Sequence, residues 1–204
     1  IFDSALDRVT FTSKSSGSVA VSFEDTTGNL LAAIGATTAT QTFYGVWDNG
    51  TKELLRAKLT PQTITTTAGT RTVTNTAVAY TASGTSQRFG WYIDLNSVSA
   101  ATGERVVVDQ LVRDDQGHLG SMIPVNLPWS FGGASGMMRV NRDNGGPVTA
   151  FDTNGDGKVN QSDSNTTNGQ FRKGIVTETK ILGNMAYISD SNGVITSTPV
   201  TPPP

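Results

Sequence analysis

Apolar and polar residues alternate over many short stretches of this chain, the period expected of strands with one buried face. Ser18 to Phe23, SVAVSF, shows the alternation, and Gly90 to Leu95, GWYIDL, and Ser135 to Val140, SGMMRV, also read as strands. Gln41 to Leu59 predicts a strand, an Asn49-Gly50 turn and a returning segment, because Asn-Gly supplies the positive φ of a tight hairpin. Gln62 to Thr81 predicts two Thr-rich strands around Ala68-Gly69, with the Thr hydroxyls suited to a wet face. Gly103 to Pro124 predicts strand, polar turn at Asp115-Gln116-Gly117, and strand. Lys180 to Thr198 predicts a closing hairpin around Asn192-Gly193. Short helices are conceivable in ELLRAKL (Glu53 to Leu59) and LTPQTI (Leu59 to Ile64) alone. Turn signals recur every 8–15 residues, a spacing that suits a sandwich, barrel or propeller. The fold class is therefore all-β, with residues 1–198 read as one domain and 199–204 as a proline-rich tail.

Composition narrows the functions. At 204 residues the chain can build one sizeable core. Charged residues are 16% and the net charge is −2, so no basic face invites nucleic acid. No apolar run approaches the roughly 20 residues of a membrane span. Cys is absent, which excludes disulfides and thiolate metal sites. The start at Ile1 is expected of a processed or excised piece, and Thr-rich, charge-poor sequence suits an extracellular setting.

The most specific chemistry lies in Asp152 to Asp163, DTNGDGKVNQSD. Oxygen-bearing side chains occupy its first, third, fifth, ninth and twelfth places: Asp152, Asn154, Asp156, Asn160 and Asp163. Gly157 stands at the sixth place, where the chain turns sharply, and Val159 at the eighth, where an apolar side chain anchors the loop. This is the pattern of a Ca²⁺ loop, with Asp in place of the usual terminal Glu. The backbone carbonyl of Lys158 completes the ligand set, so its side chain is free to be anything. A hard cation needs six to eight oxygens, and alternate residues of a curled loop can supply them. The flanks exclude an EF-hand: VNRDNGGPVTAF precedes the loop, SNTTNGQFRKG follows it, and neither has helical spacing. A dockerin uses nearly this loop but repeats it before an apolar helix, and neither feature is present.

Four blocks occur in an order that resembles one family: QTFYGVWDNG (Gln41 to Gly50), GWYIDL with GERVVVDQLV (Gly90 to Val112), PWSFGGASGMMRV (Pro128 to Val140), and the loop beginning at Phe151. They are similar to the C-terminal β-propeller domain of the PilY/PilC family of type IV pilus tip proteins. The resemblance implies a modified propeller, here partial, since blades of 40–50 residues allow about four or five in this length. It implies a role in pilus biogenesis, in opposing retraction and in adhesion, at the bacterial surface. It implies minor pilins or other tip components as partners, and a host-cell or surface receptor. Its calcium ligands, by motif position, are Asp152, Asn154, Asp156, the Lys158 carbonyl and Asp163. The chain departs from the family where Trp129 stands in place of a common Cys, and it has no Arg-Gly-Asp tripeptide. An alternative from a different class is a secreted carbohydrate-binding or dockerin-related β module, testable at Trp91 or Trp129.

Other residues favour plain roles. At least two of Phe43, Tyr44 and Trp47 are expected in the core, Trp129 and Phe131 in a core or inter-blade contact, while Trp91 and Tyr92 should face opposite ways. General-base work by His118 would need a partner, and although Asp114 and Asp115 lie nearby in sequence, the stretch DDQG is expected to be a solvated turn. Asp94, Glu104 and Asp109 form no recognisable catalytic pair, and Arg105 with Asp109 reads as a surface ion pair along one strand. Met137 and Met138, being adjacent, point to opposite faces. NRDNGG (Asn141 to Gly146) and SDSNG (Ser189 to Gly193) read as turns. No catalytic constellation emerges, so an enzyme is not expected.

Overall fold

A computed structural model describes residues 40–48, 50, 54–95, 103–124, 133–163, 167–177 and 179–200, with four two-residue strands in the first 39 residues. Contacts divide the chain into Ile1–Ala39 and Thr40–Pro204. In the first unit β1 (Phe2–Asp3) pairs with β2 (Arg8–Val9), and β3 (Thr12–Ser13) with β4 (Val19–Ala20), both antiparallel. The expected strand at Ser18 to Phe23 is described at Val19 and Ala20 alone.

The second unit is all-β. Its strands are β5 (Thr42–Val46), β6 (Thr60–Gln62), β7 (Ile64–Thr67), β8 (Thr70–Val73), β9 (Gly90–Asp94), β10 (Leu111–Arg113), β11 (Gln116–Pro124), β12 (Gly133–Asn141), β13 (Gly169–Lys173), β14 (Lys180–Leu182), β15 (Met185–Ser189) and β16 (Ile195–Pro199). Six of them form one sheet in the order β10-β11-β12-β13-β8-β7, β5-β9-β6 form a second, and β14-β15-β16 form a meander.

Pattern explains most of this. The β7–β8 hairpin closes through Ala68 and Gly69, both at positive φ (50° and 82°), with Thr67 opposite Thr70. That is a two-residue primed turn, whose twist matches the strands it joins. The turn between β10 and β11 falls at Asp114 and Asp115 (φ 51° and 60°), one residue before the position expected from Gly117. Asp tolerates left-handed backbone, so Gly117 is released into the strand, opposite Val140. Two more turns make the last segment a three-stranded meander rather than one hairpin: Gly183-Asn184, with Leu182 opposite Met185, and the turn at Asp190–Val194.

Two expectations are corrected by non-local pairing. The segment after Asn49-Gly50 does not return beside β5. Instead β9 lies between β5 and β6, antiparallel to the first and parallel to the second. Nor is LTPQTI helical: it contributes β6 and β7. Pro61 is accommodated because β6 is an edge strand, where a missing N–H is tolerated. The ELLRAKL segment does hold one turn of 3-10 helix, Arg56–Lys58.

The core has two parts. Ile64, Val73, Trp91, Ile93, Leu95, Leu119, Met138 and Val140 pack together, joining β9 to the six-stranded sheet. Met137 joins Val176 and Ile188. Adjacent Met137 and Met138 thus serve separate clusters, so β12 is covered on both faces and its burial does not alternate. Trp91 is 3% exposed. Its ring lies so close to Gly45 and Gly145 that a Cβ at either would fall 2.3 Å from an indole carbon, and its Nε1 donates to the Arg142 carbonyl (2.9 Å).

A charged pair is buried beside this core. Arg71 on β8 and Glu104 both have 0% exposed side chains and bond bidentately, Nη1 to Oε1 at 2.7 Å and Nη2 to Oε2. The Ser121 hydroxyl donates to Glu104 Oε1, and the guanidinium lies 4.1 Å over the Phe171 ring. Gly136 leaves the room they occupy, since a Cβ there would sit 2.5 Å from Arg71 Nη1.

Candidate metal centre

The loop of Asp152 to Asp163 joins the end of the β12 segment to β13. Phe151 and Val159 anchor it at 5% and 1% exposure, while residues 153–158 are exposed. Inside it, side-chain oxygens accept backbone N–H bonds in an ordered series. Asp152 takes Gly155 N (2.6 Å) and Gly157 N (2.8 Å), Asn154 takes Asp156 N (2.9 Å), Asp156 takes Lys158 N (2.8 Å), and Asn160 takes Ser162 N (2.8 Å). Asp163 closes the ring: Oδ1 accepts from Thr153 N (2.8 Å), Thr153 Oγ1 (3.2 Å) and Asn154 N (3.3 Å), and Oδ2 from Asn160 N (2.9 Å). Gly155 and Gly157 both stand at φ +79°, where a side chain would be strained. The residue at the sixth place is therefore glycine for a backbone reason.

These bonds have an electrostatic consequence. The Asn160 and Thr153 N–H groups, with Asn154 N–H and the Thr153 hydroxyl, hold the Asp163 carboxyl below the usual carboxylate range, against the opposing effect of burial. The donor set fits a hard cation by chemistry: three carboxylates, two amide oxygens and the Lys158 carbonyl, all oxygen. Asp163 Oδ1 already accepts three bonds, whereas Asp163 Oδ2, the Asn154, Asp156 and Asn160 oxygens that accept one each, and both Asp152 oxygens retain lone-pair capacity. The three carboxylates are spread along the loop rather than clustered. Among the described residues no group of three or more His, Cys, Asp or Glu side chains is close enough to hold a metal. Each carboxylate is instead held by the backbone N–H groups that it accepts from within the loop.

Behind the loop lies an arginine that sequence reasoning missed. Arg139 on β12 is 3% exposed. Its Nη1 donates to the carbonyls of Ala150 and of Pro199 (3.0 Å), its Nη2 to Thr198 Oγ1 (2.9 Å), and its guanidinium lies 5.2 Å from the Phe151 ring centre. Burial pushes it down to about 10, and among the described residues no carboxylate pairs with it. It ties the residue before the loop to β16. Nothing in its local sequence marks it, because its partners are backbone atoms distant along the chain.

Several expectations are corrected here. The turn expected in DDQG forms at Asp114 and Asp115, and His118 lies beyond it. That histidine lies on β11 opposite Arg139, 6% exposed, and is pushed down to about 4 by burial first, then by Arg139 and Arg113. Tyr44 and Trp47 are 45% and 48% exposed, so only Phe43 of that trio packs on the core. Trp91 is buried and Tyr92 half-buried, on opposite faces as expected, which removes Trp91 as a ligand platform. Glu104 is neutralised by Arg71, and Asp94 by Arg56 (2.8 Å). Arg105 makes an isolated bridge to Met122 rather than a strand, and no ion pair joins it to Asp109 among the described residues. NRDNGG and SDSNG are turns: Asn141 Oδ1 accepts from Asp143 N and Asn144 N, and Asp190 Oδ1 from Asn192 N and Val194 N. Trp129 and Phe131 lie outside the described residues.

Fold and loop together define an all-β protein with an oxygen-lined loop between strands. No family model and no curated protein matches the chain. Among solved structures it is similar to the crystal structure of the C-terminal domain of Pseudomonas aeruginosa PilY1, with a TM-score of 0.60 and 20% identity. The match covers 81% of this chain and 38% of that one. At that identity the likeness is one of fold. No closed ring of blades is formed by the described sheets, which remain separate antiparallel and mixed sheets. Among the described residues no helix is long and apolar enough to cross a membrane.

Proposed function

We propose that this chain is a calcium-stabilised β module of a type IV pilus tip protein, built as part of a modified propeller and working by binding and shape rather than catalysis. The observation that carries the reading is the twelve-place loop itself, with its six oxygen donors in ligand order on a helix-poor frame. The four family-like sequence blocks and the fold shared with the PilY1 C-terminal domain support it. In this reading Asp152, Asn154, Asp156, the Lys158 carbonyl, Asn160 and Asp163 hold Ca²⁺. The ion supplies positive charge that offsets repulsion among three carboxylates. Phe151 and Arg139 pass the order of the loop to β16. Binding to the ordered loop alone stabilises the fold by RT ln(1 + [L]/Kd), about 2.7 kcal/mol at 100 times Kd.

The module would act at the bacterial surface, at the pilus tip or the outer membrane, in pilus biogenesis, in opposing retraction and in adhesion. Minor pilins or other tip components, and a host-cell or surface receptor, are its partners. The test is a chromosomal Asp152→Ala, Asp156→Ala double variant in the bacterium that makes the protein, scored for surface pili and for twitching at controlled calcium. Altered piliation with normal protein abundance supports the reading; unchanged piliation and twitching overturn it.

A further inference from the structure

An open cavity of about 460 Å³ is bounded by Gly45, Val46, Trp47, Tyr80, Arg142 and Asp143. Its size lies within the roughly 300–1,000 Å³ of small-ligand sites. None of these residues belongs to the loop of Asp152 to Asp163, so this site stands or falls separately from the calcium reading.

The walls are fixed before any ligand arrives. The backbone N–H of Trp47 donates to the Phe89 carbonyl (2.8 Å). The Trp47 ring meets Tyr80 edge-on, centroids 5.6 Å apart at 84°, and rests 6.3 Å from Phe89. The Tyr80 hydroxyl donates to the Asp143 carbonyl. Yet Trp47 remains 48% exposed and Val46 54% exposed. A large aromatic ring held open in this way offers a rigid apolar face at low entropic cost.

The polar rim is equally defined. Arg142 Nε donates to Asp143 Oδ1 (3.0 Å) and its Nη2 pairs with Asp115 Oδ1 (2.9 Å). Among the described residues Arg142 Nη1 and Asp143 Oδ2 have no hydrogen-bond partner, which leaves one planar donor and one planar acceptor beside the aromatic corner. The charges of Arg142 and Asp143, the two charged residues that bound the cavity, cancel, so no net positive charge invites a phosphate or carboxylate ligand.

We propose that the cavity between Trp47, Tyr80, Arg142 and Asp143 is a carbohydrate site that takes a neutral pyranose unit. The C–H face of a pyranose ring is apolar and stacks on an indole face. Its vicinal hydroxyls both donate and accept, matching Asp143 Oδ2 and Arg142 Nη1. A polyproline segment fits less well, because it is gripped between parallel aromatic ridges, whereas Trp47 and Tyr80 form a corner.

The test is a titration of the full chain with methyl glycosides of neutral hexoses and N-acetylhexosamines. A sialoside, a glucuronide and a proline-rich peptide serve as comparators, read by ligand-observed NMR and tryptophan fluorescence. At least one neutral glycoside should saturate at millimolar concentration and outbind every comparator. Trp47→Ala should weaken it by about tenfold or more, the loss of one aromatic stacking contact. Asp143→Asn should weaken it severalfold while leaving the aromatic wall intact. Should Trp47→Ala misfold, Trp47→Leu and Asp143→Asn carry the same comparison, with unfolding midpoints as the control for folding. Absence of neutral-glycoside binding, binding indifferent to both positions, or preference for an anionic sugar or the peptide overturns the assignment.

Discussion

Arg71 and Glu104 have no exposed side-chain surface, and among the described residues each is the other's sole counter-charge. Replacing Glu104 with Gln keeps the shape but leaves a buried guanidinium facing a neutral amide. Two unit charges near 4 Å attract by about 4 kcal/mol at an effective dielectric of 20. Removing one partner of such a pair costs about 3–5 kcal/mol. A chain of this size loses roughly 2–4 °C of Tm per kcal/mol, so Glu104→Gln should melt about 6–20 °C lower. The double replacement Arg71→Met with Glu104→Leu removes both desolvation penalties, and also the Arg71 Nε–H that has no partner. It should recover most of the loss, because apolar substitutes for a buried pair are often neutral or better. Urea denaturation of the wild type, both single variants and the double, followed by circular dichroism, closes a double-mutant cycle. A loss under about 1 kcal/mol for Glu104→Gln at unchanged m-value, or a double variant no better than the worse single one, refutes the reasoning.

Three further outcomes follow from the geometry. His118 is held neutral at about 4 in the fold against about 6.5 unfolded. Its contribution is full above pH 6.5 and drains as pH falls toward 4, by on the order of 3 kcal/mol; denaturation midpoints across that range should flatten in His118→Gln, and parallel curves for the two proteins count against it. Gly145→Ala and Gly155→Ala both force a side chain to positive φ, at about 1–2 kcal/mol each, but only Gly145 also drives a Cβ to 2.3 Å from Trp91. Gly145→Ala should therefore be the worse by about 1–3 kcal/mol in urea, and equal losses contradict the packing. In the loop, Lys158→Ala should leave calcium affinity unchanged because the ligand proposed there is its backbone carbonyl, whereas Asp163→Ala, which removes an acceptor of four hydrogen bonds, should abolish any response of the melt to chelator; calcium titrations of the two variants separate these outcomes.

What could be read from sequence was local. The Ala68-Gly69 hairpin is specified by two residues whose backbone preferences suffice, and the loop of Asp152 to Asp163 carries its whole donor set within twelve consecutive positions. The misses share the opposite character. β9 inserts between β5 and β6 through pairs 31 to 52 residues apart, from Thr60 with Trp91 to Thr42 with Asp94, and no short-range pattern encodes such a pairing. Asp114-Asp115 took the turn because Asp also tolerates left-handed backbone, where the eye goes first to Gly117. Nothing local marks Arg71, Glu104 and Arg139 as buried charges, because residues distant along the chain enclose them. The Trp47 corner was hidden for the same reason: its walls come from residues near 46, 80 and 142.

The central claim is that the curl from Asp152 to Asp163 takes up calcium. Isothermal titration of the chelator-stripped chain with CaCl₂ tests it most directly, with Asp152→Ala, Asp156→Ala as the control. One saturable site per chain, lost in the control and accompanied by a rise in Tm, is the expected result. No heat of binding and an unchanged melt at millimolar calcium, in protein whose fold is intact, would contradict it.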